Sequence, residues 1–142
     1  MSSFSLILRN HVSEIGRLVD RVEAFGVQAG LPADVTFRLT LALDEAVSNV
    51  IRHGCADASE HRIAVRVHVG DGMVTATVED DGIPFDPHDA PPPNLDAPIE
   101  ARAPGGLGVH LVKATMDDVR YRREGERNVL TLITRAQSRE SI

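Results

Sequence analysis

One cysteine, Cys55, stands among the 142 residues, so no internal disulfide can form and a reducing compartment suits the chain. No apolar run approaches the roughly 20 residues that a membrane-spanning helix requires. The opening "MSSFSLILRN" lacks the basic n-region and cleavage site of a secretory signal. Basic residues are outnumbered, 15 Lys and Arg against 21 Asp and Glu, for a net charge of -6. Nothing forms the basic stripe that a phosphate-backbone binder needs. No internal repeat is present. These absences point to a cytoplasmic protein with neither nucleic acid nor membrane as its partner.

What is present is ordinary for a globular chain: 42% hydrophobic and 25% charged residues, over a length that fits one domain spanning 1–142. "FSLILR" (4–9) alternates as an opening strand. From His11 to about Ala29, Val12, Ile15, Leu18, Val19, Val22 and Phe25 recur at helical spacing, and Gly30 follows as a C-cap. A second helix begins at "LPADV", with Pro32 in its first turn, and runs to His53 with Gly54 as its cap. "RIAVRVHVG" (62–70) and "MVTATVED" (73–80) flank an Asp-Gly turn and read as a hairpin.

Seven of the eight prolines then fall between 84 and 104, which no helix or central strand can use. A loop of that length inside a compact domain is functional or disordered. "GGLGVHLVKATMDD" (105–118) opens a third helix, and "VRYRRE" and "RNVLTLITR" close the chain as a hairpin turning at Gly125. The tail 136–142 reads as polar and frayed. The order β-α-α-β-β-loop-α-β-β predicts an α+β two-layer sandwich: a mixed, mostly antiparallel sheet with helices on one face.

Three stretches carry residues suited to chemistry. In "LTLALDEAVSNVIRHG" (39–54), Glu45 and Asn49 stack on one helix face, with Arg38 and Arg52 within about 40° of Glu45. That face is either solvated around an Arg–Glu pair, or a site in which Glu45 takes a proton and Asn49 offers an oxygen to Mg2+. In "VEDDGIPFDP" (78–87), a strand delivers two acids and Gly82 to its end. Asp80 there is either a local turn acceptor or an acceptor for an exocyclic amine such as that of adenine. In "PGGLGVHLVKATMDD", Gly105, Gly106 and Gly108 surround Leu107 at a helix N-terminus, which suits either an anion or a simple cap. No G-K-[ST] follows, so this is not a Walker A loop, and the proline-rich approach rules out a Rossmann fingerprint.

Taken in order, a helix with E-x-x-x-N, a strand ending D-x-G, a long loop and G-x-G opening a helix resemble the Bergerat-type ATP-binding fold. Histidine kinases, type II topoisomerases and bacterial anti-sigma-factor serine kinases share it. The match covers roughly residues 4 to 134 and looks most like the small anti-sigma kinases.

The resemblance implies Glu45 as general base, Asn49 as Mg2+ ligand, Asp80 as acceptor of the adenine amine, and Gly82 as room for the base. Gly105, Gly106, Leu107 and Gly108 would line the phosphates of ATP under a lid at about 84–104. His53 is either a further phosphate contact or an ordinary helix-terminal residue. The function implied is a serine/threonine kinase that phosphorylates a STAS-like anti-sigma antagonist and sequesters a sigma factor, working as a homodimer. A nucleotide-binding docking module with little kinase activity is the alternative. Pro84 and Pro104 stand where the pattern has glycine, and Asn128 where relatives often have threonine near the base.

Overall fold

The computed structural model describes residues 2–54, 60–84, 86 and 112–138, without the side chains of residues 53 and 54. Its strands are β1 (Ser2–Arg9), β2 (Arg62–Gly70), β3 (Met73–Asp80), β4 (Asp118–Glu124) and β5 (Arg127–Arg135). Two helices, α1 (Ile15–Ala29) and α2 (Ala33–Asn49), lie between β1 and β2. The strands form one sheet in the order β1-β2-β3-β5-β4, and all four pairings are antiparallel. The expected mostly antiparallel sheet therefore contains no parallel pair among the described residues.

Alternation sorts the sheet into two faces. Leu6, Leu8, Ile63, Val65, Val67, Val74, Ala76, Val78 and Leu132 are buried on one, together with Leu18, Val22 and Phe25 of α1 and Leu39, Leu43 and Val47 of α2. The opposite face carries Ser3, Ser5, Arg66, His68, Thr75 and Thr77 and has no helix over it among the described residues. The β2–β3 turn is tight because Asp71 and Gly72 both take positive φ, 55° and 75°, as a type I′ turn requires. Gly26 lets the two helices touch, since a Cβ there would stand 2.7 Å from Thr36 Cγ2.

Local departures from the sequence reading have identifiable causes. A 3-10 turn over Val12–Glu14 precedes α1, and its different winding turns Val12 out to 72% exposure. Glu14 anchors that turn by accepting from the Arg9 N–H at 2.9 Å, which holds its carboxyl below the ordinary value. Gly30 caps α1 in the left-handed region, as expected, while Pro32 stands at the N-cap of α2, just ahead of its first turn.

The α-helix expected to reach His53 gives way to a π-helix over Val50–Gly54. A π turn rotates through a smaller angle per residue, which keeps both Val50 and Ile51 against the core. The third helix, expected to reach 118, is described over 112–115, and β4 already begins at Asp118. The Asp117 N–H donates to Ile133 O at 2.8 Å, and its carboxylate accepts from the Arg135 N–H at 2.7 Å, drawing the chain into the sheet. The start of that helix, Cys55, most of the 84–104 loop and residues 139–142 lie outside the described residues.

Candidate functional site

The site begins with the end of β3. Asp80 faces the helix-covered side of the sheet and is 3% exposed. Its Oδ1 accepts from the Gly82 N–H at 2.8 Å and from Asn128 Nδ2 at 3.0 Å. Oδ2 takes no hydrogen bond from any described residue. One oxygen thus does the local turn work that the sequence allowed, and the other remains as an acceptor. Burial pushes the Asp80 carboxyl above its ordinary value, against the pull of the Asn128 and Gly82 N–H groups.

Gly82 is itself buried, and its φ is not positive; the described positive-φ glycines are Gly30, Gly72 and Gly125. The turn therefore does not use the left-handed freedom of glycine. Its carbonyl accepts from Arg123 Nη1 at 2.6 Å. The next residue, Ile83, leaves its side chain half exposed, an apolar surface beside the acid. Asp81 points away and pairs with His61 Nδ1 at 2.7 Å.

The second part of the site is the C-terminal turn of α2. Asn49 is 4% exposed, while Glu45, one turn earlier, is only partly buried, so the face is closed at Asn49 and still open to water at Glu45 and Arg52. Arg52 reaches back over both: its Nη2 stands 3.0 Å from Asn49 Oδ1 and 3.7 Å from Glu45 Oε2. The carboxamide oxygen and the carboxylate therefore converge on one cation. Arg38, grouped with them by helical angle, goes elsewhere, to Asp34 at 2.8 Å and Thr134 at 3.3 Å.

No hydrogen bond or ion pair among the described residues joins Glu45 or Asn49 to Asp80. The two halves are connected through the packing of α2 on β3 and β5. Gly105, Gly106, Leu107 and Gly108, and the side chain of His53, lie outside what the structure describes. Lys113, in the described end of the third helix, is half-buried.

Of the three residues that hold the acid in place, sequence reasoning set only Asn128 near the base, by resemblance, and missed Tyr121 and Arg123. Asn128 pairs with Asp80 in the β3–β5 register, and Tyr121 and Arg123 of β4 both donate to its Oδ1. The signal was present in part, since Asn128 departs from the threonine of the resembling pattern. Its meaning depends on β5 inserting between β3 and β4, which no local pattern reveals.

A buried acid with one open oxygen at a strand end, and an acid–amide pair on the helix packed over that strand, define a class. The "Histidine kinase-like ATPase domain" family model matches residues 8–134, and the chain belongs to that family. It is an enzyme of the protein-kinase branch of that family. It is 31% identical over 100 residues to the serine/threonine-protein kinase BtrW of Bordetella bronchiseptica, covering 70% of each chain. To the serine-protein kinase RsbW of Listeria innocua it is 29% identical over 122 residues, covering 82% of this chain and 76% of the relative.

Solved structures agree on the fold. A Mycobacterium tuberculosis protein carrying RsbU and RsbW domains superposes with a TM-score of 0.69 at 18% identity, over 95% of this chain and 32% of that one. The histidine kinase domain of a blue-light-activated kinase from Erythrobacter litoralis gives 0.57 at 20% identity, over 87% of this chain and 60% of that one. No helix among the described residues is long and apolar enough to cross a membrane.

Proposed function

We propose that the chain forms one cytoplasmic ATP-binding domain that transfers the γ-phosphoryl of ATP to a serine or threonine of a STAS-like anti-sigma antagonist. In alternation it sequesters a sigma factor, and it works as a homodimer. The observation that carries this reading is the convergence of Asn49 Oδ1 and Glu45 Oε2 on the Arg52 guanidinium, at 3.0 and 3.7 Å. That donor set already presents to a positive charge, and one carboxamide oxygen suffices for Mg2+, which keeps most of its waters and binds substrate phosphates.

Two lengths support a common site. From the Arg38–Thr134 contact, α2 advances about 16 Å to Asn49 at 1.5 Å per residue. From Val74, the register partner of Thr134, β3 advances about 20 Å to Asp80. A helix running along the strand would bring both groups to one end.

In the proposed reaction Asp80 Oδ2 accepts from the adenine amine, and Gly82 lets the base close on the backbone. Asn49 would hold Mg2+, which when bound neutralises charge on the phosphates. Glu45 takes the proton from the attacking hydroxyl as the new O–P bond forms and the γ-phosphoryl parts from ADP. General-base help of this kind is worth about 10²–10⁴ in rate, and the rest is positioning. Gly105, Gly106, Leu107 and Gly108 are proposed to line the phosphates, with His53 near them.

The test is incubation with γ-labelled ATP, Mg2+ and a STAS-like antagonist. Acid-stable label on a serine or threonine of the antagonist is expected. ATP binding without any labelled protein would overturn kinase function in favour of a docking module. Acid-labile label would point to a phosphohistidine acceptor instead.

A further inference from the structure

The side-chain amide of Asn128 has no capacity to spare. An amide offers two N–H donors and two lone pairs. Here Oδ1 accepts from the Tyr121 hydroxyl and from Arg123 Nη1 at 3.1 Å. Nδ2 donates to Asp80 Oδ1 at 3.0 Å and to Ile83 O at 2.8 Å, with Gly82 O at 3.4 Å sharing a proton. Two donors on Oδ1 allow one orientation of the amide. Turned over, its oxygen would face a carboxylate and two carbonyls, while its NH2 would face a hydroxyl and a guanidinium. Arg123 also grips Gly82 O, so the turn 80–83 is held from β4 and β5 together.

We propose that Asn128, locked by Tyr121 and Arg123, is a positioning residue that sets base selectivity by holding Asp80 Oδ1 and leaving Oδ2 open among the described residues. A 6-amino purine can donate to that oxygen. A 6-oxo purine keeps a donor only at N1; seated in the same way it turns O6 toward a carboxylate oxygen, where Asn128 has no N–H left to offer. Leaving such groups unpaired in a buried site is what gives a hydrogen-bonding pocket its discrimination. The inference rests on the reading of Asp80 as the acceptor of the base amine.

The test is competition of ATP and ITP against a fluorescent ATP analogue on the full chain. These nucleotides differ on one edge of the base: the 6-amino group becomes a 6-oxo group and N1 gains a proton. The wild type is expected to favour ATP by about 10²-fold or more. Asn128→Ala and Tyr121→Phe should each reduce that ratio about tenfold. Tyr121→Phe deletes one hydroxyl and keeps the ring, so it serves if Asn128→Ala fails to fold. A residue with a merely structural role would weaken both nucleotides together and leave the ratio unchanged.

An unchanged ratio in both variants, with the preference lost in Asp80→Asn, overturns the positioning role and leaves the Asp80 reading intact. No preference for ATP in the wild type overturns the Asp80 reading and this inference with it.

Discussion

Arg38 donates from Nη1 to Asp34 Oδ2 at 2.8 Å and from Nη2 to Thr134 Oγ1 at 3.3 Å, tying the first turns of α2 to the end of β5. Thr134 passes the link on to Asp117 Oδ2 at 3.0 Å, just ahead of β4. The guanidinium is nearly buried, and its Nε finds no partner. Truncation to Ala would remove the link and leave a cavity beside a fully buried hydroxyl. Arg38→Ala is expected to cost about 2–4 kcal/mol in urea unfolding. Arg38→Met should cost less, because it fills the volume and also removes the orphaned Nε.

Gly26 and Thr36 set how closely α1 and α2 approach. Gly26→Ala places a methyl against Thr36 Oγ1 and within 2.7 Å of its Cγ2, so the helices must part. A loss of about 1–3 kcal/mol is expected. Thr36→Ala in the same chain should restore part of it, since the two closest atoms are then gone; a thermal melt of the three variants checks this.

The proposed role of Asp80 sets nucleotide binding against stability. Its folded pKa is raised above the ordinary value of 3.8, chiefly by burial. Between those two values the folded protein binds more protons than the unfolded one, so stability falls as pH rises through the window. Above it, the full cost of the buried charge remains. Asp80→Asn keeps an acceptor for Gly82 and Asn128, and should raise the midpoint of thermal unfolding at pH 7. The gain should close as pH falls below the ordinary carboxyl value. ATP affinity should drop tenfold to hundredfold, roughly the worth of one charge-assisted hydrogen bond.

Glu45 offers the cleanest separation of binding from chemistry. Glu45→Gln keeps its shape and removes the proposed base, so transfer to the antagonist should fall by about 10²–10⁴ while ATP affinity changes little. Stability should move by less than about 1 kcal/mol, because the pair with Arg52 is long and partly solvated. Single-turnover labelling beside a binding titration measures both.

The sequence made the elements legible wherever short-range physics decides them. Strict alternation marked β2 and β3, positive-φ Asp71 and Gly72 their turn, and Gly30 the end of α1. It misled where the winding changes, at Val12 and after Asn49, because apolar spacing looks alike in 3-10, α and π turns over one turn. Glu45, Asn49 and Asp80 could be named from their motifs. Long-range partners could not be named: Asn128 meets Asp80 across 48 residues and, away from the site, Arg38 meets Thr134 across 96. Helical angle grouped Arg38 with Glu45 and Arg52, yet only tertiary packing decided that Arg38 turns to the sheet and Arg52 to the site.

The clamp on the turn after β3 also bears on how a nucleotide arrives. Gly82 and Ile83 are fastened by side chains of β4 and β5 before any ligand is present. The entropy of ordering that turn is therefore lost during folding rather than on binding. On the proposed reading, a base meeting it gives up its own freedom and finds a rigid counterpart. Recognition of the base should then be a fit without remodelling, and the heat-capacity change of adenosine binding should match the small apolar area covered, with no folding contribution.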